Sequence, residues 1–252
     1  MAFAEPPGWY VISLRPRGEH APMRRAAARQ GARLLALSPW QLALHDDPAT
    51  RRALGLALAA PRVLFTSPAA VRAAAALQVL RSSPGQSIIA AGAGTAQALR
   101  QAGVDAVESP SRMDSEGVLG LPGLLSVAGM EVGLVTAPQG RDLLAATLRQ
   151  RGAVLRRADV YRRVPVPLSA AALRKLRDLQ RPAALALSSA AALQQLLASL
   201  PPDAAARLRT MPVVAASARL QQLALDSGFA RVSQAEGPLP GQILAAMARC
   251  FR

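Results

Sequence analysis

Hydroxyl side chains stand at the ends of several apolar runs in this sequence, each just before a segment typical of a helix. These residues are Thr66 and Ser67 in "VLFTSPAAV", Thr95, Thr136, Ser188 and Ser189 in "ALALSSAAAL", and Ser217. A hydroxyl in this position can cap the helix that follows. It can also bind an anion beside the positive end of that helix. Capping alone explains any one of these residues, whereas the whole set favours a ligand with several carboxylates or phosphates.

The sequence offers few residues for other kinds of chemistry. His20 and His45 lack the spacing of metal ligands and are expected to be solvated surface residues. There is no P-loop and no Gly-x-Ser-x-Gly nucleophile motif, and "AGAGTAQAL" lacks the third glycine of a dinucleotide fingerprint. Cys250 is the one cysteine, which excludes an internal disulfide. We therefore expect a site rich in hydrogen-bond donors, without a metal, whose chemistry is mostly intrinsic to its substrate.

The charge of the chain predicts an anionic partner. Lysine and arginine number 30 against 15 aspartates and glutamates, for a net charge of +15, and Lys175 is the only lysine. Arginine binds carboxylates and phosphates through its planar fork of donors. Aromatic residues make up only 3% of the chain, which disfavours base stacking and hence a nucleic-acid binder. No apolar run approaches the length of a membrane span, and the first ten residues do not form a signal peptide, so we predict a cytoplasmic protein that does not bind membranes.

The elements that must position these hydroxyls repeat along the chain. Four times, an alanine- and leucine-rich helix pattern ends in a glycine and a short strand follows, at Gly31, Gly103, Gly152 and Gly228. Strands that alternate with helices predict parallel sheets covered on both faces. About ten short strands are too many for one ordinary sheet, so they favour two α/β domains of about five strands each.

The order of the two domains along the chain is open from periodicity alone. The chain can begin in one domain, cross near 37–41, complete the second domain, and return through an extended linker near 161–167. A sequential split near residue 120 is the alternative. The segment 87–109 also aligns without a gap with 212–234, which indicates an internal repeat. In that alignment Leu220 takes the position of Thr95.

Taken together, the motifs resemble those of the uroporphyrinogen-III synthase family. The matching pieces are "LRP" at 14–16, "VLFTSPAAV" at 63–71, "AAGAGTAQALRQAG" at 90–103, "DSEGVL" at 114–119, "GRDLLAATLRQRGAVLRRADVYRR" at 140–163, "ALSSAAAL" at 186–193 and "ARLQQLALDSGF" at 218–229. The resemblance implies two flavodoxin-like α/β domains with parallel sheets, joined by a two-stranded linker, with the ligand cleft between them. It favours the discontinuous layout, with residues 1–38 plus 164–252 in one domain and 39–163 inserted as the other.

The resemblance also implies an activity. Enzymes of this family close hydroxymethylbilane, a linear tetrapyrrole with eight carboxylates, into uroporphyrinogen III. Water is lost and the terminal pyrrole ring is inverted, so the enzyme is a lyase of porphyrin and heme biosynthesis. No cofactor or metal is implied. The resemblance predicts a monomer that acts on this polycarboxylate and has transient contact with the preceding enzyme of the pathway.

Site residues follow from the resemblance position by position. Tyr161, in "VYRR", is the candidate catalytic residue, since a phenol can donate a proton weakly. The candidate substrate-binding residues are Arg15, Thr66, Ser67, Thr95, Arg141, Ser188, Ser189 and Ser217. Leu220 stands where the family often has threonine, so backbone amides of "AASAR" could replace a hydroxyl there. The alternative to catalysis is a non-catalytic α/β module that binds an anionic small molecule.

Overall fold

The computed structural model describes residues 8–112, 115–138 and 142–251. The chain forms two compact units. Unit 1 comprises Met1–Gln41 and Val164–Arg252, and unit 2 comprises Leu42–Arg163. Unit 2 is therefore inserted within unit 1, and the chain passes from one unit to the other twice.

Strands and helices alternate through both units. The strands are β1 (Trp9–Ser13), β2 (Ala32–Ala36), β3 (Trp40–Leu44), β4 (Arg62–Phe65), β5 (Ser87–Ala90), β6 (Val107–Glu108), β7 (Glu131–Thr136), β8 (Val154–Asp159), β9 (Tyr161–Pro165), β10 (Ala183–Leu187), β11 (Val213–Ala215) and β12 (Val232–Gln234). The helices are α1 (Ala21–Arg29), α2 (Pro48–Ala59), α3 (Pro68–Leu77), α4 (Ala93–Gln101), α5 (Ser115–Leu119), α6 (Pro122–Leu125), α7 (Asp142–Gln150), α8 (Ala170–Arg177), α9 (Ala190–Ser199), α10 (Pro202–Arg209), α11 (Ala218–Asp226) and α12 (Pro240–Arg249).

Each unit contains one parallel five-stranded sheet. In unit 1 the strand order is β12-β11-β10-β1-β2, and in unit 2 it is β6-β5-β4-β7-β8. β3 and β9 form a separate two-stranded sheet where the chain leaves and re-enters unit 1. The predicted fold class, two parallel-sheet α/β units with a two-stranded linker, is confirmed in these elements.

Both faces of each sheet are buried. In unit 1, Ile12 and Leu185 pack in one apolar cluster, while their strand neighbours Val11 and Ala184 pack in another on the opposite face. In unit 2, Phe65 and Leu64 divide in the same way. Successive residues of a strand point to opposite faces, so a strand covered on both sides needs a continuous apolar run. All five residues of β10 are accordingly buried.

Glycines end the helices where the sequence predicts them. Gly103 and Gly228 follow α4 and α11 with φ of +88° and +86°. A side chain disfavours this left-handed conformation, which glycine adopts without a steric penalty. Each helix can therefore stop there and turn back toward the next parallel strand. Gly31 and Gly152 also have positive φ, so the predicted helix–glycine–strand pattern is confirmed at all four positions.

The predicted internal repeat corresponds to equivalent places in the two sheets. The segment 87–109 forms β5, α4 and β6, and the aligned segment 212–234 forms β11, α11 and β12. β5 and β11 are each the second strand from the end of their sheet, and β6 and β12 are the edge strands beside them. The match extends to the whole sheets, because β4 and β10 are each the central strand of their five.

Candidate active site

In unit 2, two threonines meet at the carboxyl edge of the sheet. Thr66 directly follows β4 and Thr136 ends the neighbouring strand β7. The Thr66 hydroxyl donates to the Thr136 hydroxyl at 2.8 Å, and both residues are buried. The Thr66 side chain therefore joins two strand ends rather than capping a helix. It helps fix the backbone from which Ser67 projects.

Ser67 is bonded to the candidate catalytic residue. Its side chain accepts a hydrogen bond at 3.0 Å from the N–H of Ala70, so it is the N-cap of α3. Its hydroxyl also lies 3.1 Å from the hydroxyl of Tyr161, the first residue of β9. Tyr161 is 6% exposed, so its ring is packed and its hydroxyl is held at the serine. This contact orients a proton-donating phenol beside the N-terminus of a helix.

Thr95 lies in the first turn of the next helix of unit 2. Gly92 is the N-cap of α4 and has no side chain with which to cap it. Thr95 is buried, with 4% of its surface exposed. A Cβ placed on Gly94 would lie 3.6 Å from Cγ of Pro68, so the first turns of α3 and α4 are adjacent. The start of α4 thus combines backbone N–H groups with a hydroxyl, a combination suited to a carboxylate.

The corresponding edge of unit 1 carries the other predicted serines. Ser189 caps α9 by accepting from the N–H of Ala192 at 3.3 Å, and Ser188 beside it is exposed. Ser217 caps α11 by accepting from the N–H of Leu220 at 3.4 Å. The capping interpretation therefore holds for Ser189 and Ser217, as it does for Ser67. A capping serine still has its own proton to donate to a ligand.

Leu220 makes the first turn of α11 different from that of α4. It takes the position of Thr95, and its side chain packs into the core of unit 1 with 5% exposed. Its backbone N–H is already bonded to Ser217. The first turn of α11 is therefore apolar and capped at the position where α4 offers a threonine hydroxyl.

Of the two arginines predicted to bind substrate, the structure describes only Arg15. Arg15 is half-buried in the loop of residues 14–19, which follows β1 at the carboxyl edge of the unit 1 sheet. This loop also carries Arg17, whose backbone N–H donates to the carbonyl of Trp40 at 2.9 Å. Arg141 lies outside the described residues.

The prediction of a solvated His20 is wrong. This residue is only 7% exposed, and its ring nitrogens bond to two serines. Nδ1 lies 3.0 Å from Oγ of Ser13, and Nε2 lies 2.7 Å from Oγ of Ser38. Burial, with the positive charges of Arg24 and Arg15 nearby, lowers the pKa of His20 to about 4, so its ring is neutral at pH 7.

One signal in the sequence could have found this cluster. Ser13 ends a strand just as the other candidate hydroxyls do, and His20 follows it by seven residues across a Pro-Gly loop. His45 is half-buried rather than fully solvated, and its Nδ1 lies 2.9 Å from the carbonyl oxygen of Asp159.

The described ranges contain no group of three or more His, Cys, Asp or Glu residues that could hold a metal ion. Within the same ranges, each helix is too short or too polar to cross a bilayer. The groups at the two carboxyl edges are hydroxyls, backbone N–H groups, a guanidinium and a phenol. They can bind carboxylates and give up one proton.

Comparison with known proteins agrees with this inventory. A family model described as uroporphyrinogen-III synthase HemD matches residues 22–245. A mutant uroporphyrinogen III synthase from Thermus thermophilus is 21% identical, with a TM-score of 0.58, over 96% of this chain and 98% of that one. The uroporphyrinogen-III synthetase of Helicobacter pylori is 14% identical, with a TM-score of 0.59, over 96% of this chain and 99% of that one. These two structures share the fold, and the family match covers most of the sequence: the chain belongs to the uroporphyrinogen-III synthase family.

Proposed function

We propose that the protein is a lyase that closes hydroxymethylbilane into uroporphyrinogen III, with loss of water and inversion of the terminal pyrrole ring. The observation that carries this proposal is the family match over residues 22–245, which makes the protein an enzyme of porphyrin and heme biosynthesis. The match favours catalysis over a non-catalytic binding module. The groups at the two sheet edges are those that such a reaction requires.

Substrate binding is assigned to donors at the carboxyl edge of each sheet. In unit 2 these are the Thr95 hydroxyl and the first N–H groups of α4. In unit 1 they are Arg15 and the hydroxyls of Ser188, Ser189 and Ser217. The substrate carries eight carboxylates, and the chain has a net charge of +15, so the overall field attracts it. Each charge-assisted hydrogen bond also fixes part of the flexible substrate.

The main catalytic task is to hold the linear substrate in a folded conformation. The bilane closes on its own without inverting a ring, so the protein must favour a conformation that free substrate seldom adopts. Binding groups fixed by helix caps and strand pairs lower the entropic cost of reaching that conformation. The bond between Thr66 and Thr136 acts indirectly here, by fixing the backbone before Ser67.

Tyr161 is assigned the proton transfer. Its O–H donates a proton to the hydroxyl of the substrate and the C–O bond breaks. Water departs, and the substrate becomes an azafulvene cation. Ser67, which is held by the N–H of Ala70, can then donate to the phenolate oxygen. The terminal ring attacks through its substituted carbon, and the spiro intermediate fragments and recloses. The last step releases a proton from ring carbon, which restores the tyrosine. Acid assistance of this kind contributes roughly 10²-fold or more to the rate.

The same proposal places the enzyme in the cytoplasm as a monomer. A substrate with eight carboxylates does not cross membranes unaided, so the enzyme must work where the bilane is made. Because the free bilane closes spontaneously to the wrong isomer, we infer transient contact with the enzyme that produces it.

A coupled assay tests the activity. Hydroxymethylbilane is generated in situ, the purified protein is added, and the uroporphyrin isomers are separated after oxidation. We expect mostly isomer III. Isomer I alone, from a protein with a cooperative unfolding transition, would overturn the proposed function.

A further inference from the structure

A buried histidine connects three segments at the carboxyl edge of the unit 1 sheet. Ser13 is the last residue of β1, His20 is the N-cap of α1, and Ser38 follows β2. The imidazole bonds to both serine hydroxyls, at 3.0 and 2.7 Å. Ser13 is 1% exposed and His20 7%. Buried polar groups at this depth are costly unless they are paired, and here both ring nitrogens are.

These hydrogen bonds close the base of the loop of residues 14–19. Ser13 lies directly before the loop and His20 directly after it, so their bond joins its two ends. The bond to Ser38 fixes that base to the end of β2. Within the loop, the N–H of Glu19 donates to the carbonyl of Pro16, and the N–H of Arg17 donates to that of Trp40. His20 thus ties together the two ends of the loop that carries Arg15.

The imidazole suits this role because it is neutral. One ring nitrogen donates and the other accepts, and a serine hydroxyl can serve as partner to either. A lysine or arginine here would add buried positive charge next to Arg15 and Arg24, the two cations that disfavour protonation of His20. A neutral side chain with two polar ends adds no further charge beside Arg15.

We propose that His20 is a positioning residue, whose bonds to Ser13 and Ser38 hold the 14–19 loop so that Arg15 meets a carboxylate of the substrate. The inference rests on the proposed function and extends it to a residue that does not itself contact substrate. His20 fixes the direction of the guanidinium through the loop backbone.

Steady-state kinetics of three single variants test the proposal. We expect His20→Ala to raise KM for hydroxymethylbilane roughly tenfold while kcat changes less than threefold, because a loosened loop weakens binding. His20→Gln places an amide near the position of Nε2 and keeps the bond to Ser38, so it should recover most of the loss. His45→Ala in unit 2, which removes the other histidine, should leave both constants unchanged.

A double variant separates positioning from general packing. If His20 acts through Arg15, the variant with both Arg15→Ala and His20→Ala should have the KM of Arg15→Ala alone. Multiplicative effects on KM would overturn the proposal, and so would an unchanged KM in a folded His20→Ala protein. Equal losses in His20→Ala and His20→Gln would also count against it. Wild-type protein that makes no isomer III would instead reject the proposed function.

Discussion

The two units have the same arrangement of strands but begin it at different points of the chain. In unit 2 the five strands of the sheet follow one another from β4 to β8. In unit 1 the strands that match β7 and β8 are β1 and β2, which come first, and the other three come last. The turn from the central strand into the next helix is similar in the two units, because Ser67 and Ser189 cap α3 and α9 by the same hydrogen bond.

The next corner of each unit differs. α4 begins at a glycine without a capping side chain and has Thr95 in its first turn. α11 begins at the capping Ser217 and has the buried Leu220 instead. Unit 2 also holds Tyr161, whereas unit 1 holds Arg15 and His20. The comparison teaches that two units of one fold can take different roles: both offer hydroxyls to the substrate, but we assign the acid to unit 2 and the arginine contact to unit 1.

The largest predicted effect tests the acid in unit 2. Tyr161→Phe removes only the hydroxyl that lies beside Ser67, so kcat should fall roughly 10²-fold, the contribution typical of a general acid. KM should change little, since no carboxylate contact is lost. Initial rates of isomer III formation measure both constants. A kcat within threefold of wild type would place the acid elsewhere and weaken the division between the units.

The second prediction compares the two unequal helix starts directly. Thr95→Val keeps the size and shape of the side chain and removes its hydroxyl. A hydrogen bond to a charged group contributes about 2 kcal/mol, so KM should rise roughly thirtyfold. Leu220→Met, a similar-volume change at the matching position, should leave KM unaffected. If both substitutions raise KM alike, or neither does, the proposed asymmetry is wrong.

The third prediction concerns the stability of unit 1 at low pH. His20 is buried and its pKa is lowered to about 4 from 6.5, so the unfolded chain binds this proton more readily than the folded one. Stability of unit 1 should therefore fall as pH drops from 6.5 towards 4, by about 2 kcal/mol at pH 5. Hydrogen exchange of the β1 and β10 amides against pH measures it. His20→Gln should remove this part of the slope, and an unchanged slope would contradict the assignment.

The smallest predicted effect concerns the caps. Ser217→Ala removes one side-chain acceptor at the start of α11 and should cost about 1 kcal/mol, seen as faster exchange of the Leu220 N–H. Ser67→Ala should likewise expose the Ala70 N–H. Only Ser67→Ala should also lower kcat, because only this cap touches Tyr161. Equal effects on kcat would mean that the two caps are functionally alike.

Local features of this protein were predictable from sequence, and long-range contacts were not. The glycine helix ends and the serine caps depend on neighbouring residues, so the pattern around Gly103 or Ser189 is sufficient. Thr66 reaches Thr136 only because β4 and β7 are neighbours in the sheet, which the order of strands along the chain does not reveal. Ser67 and Tyr161 are 94 residues apart.

His20 shows the same limit from the opposite direction. Its neighbours in sequence, Gly18, Glu19 and Pro22, are typical of an exposed loop. Its hydrogen-bond partners are Ser13 and Ser38, which the parallel pairing of β1 with β2 brings to one place. Local composition therefore predicted the wrong environment for this side chain.

The two-stranded linker of β3 and β9 has a consequence for the order of folding. Tyr10 of β1 pairs with Ala183 of β10, so the unit 1 sheet cannot form until the residues that follow the inserted unit 2 have left the ribosome. Translation proceeds at ~5–20 residues per second, so β10 is synthesised roughly 10 s or more after β1 and β2. Unit 2 is contiguous and can fold during that interval. Once β3 pairs with β9, the ends of the insertion are held together, which removes most of the entropic cost of closing the long loop. A unit 2 that has already folded thereby favours the assembly of unit 1. Slow translation of unit 2 would delay the assembly of both units.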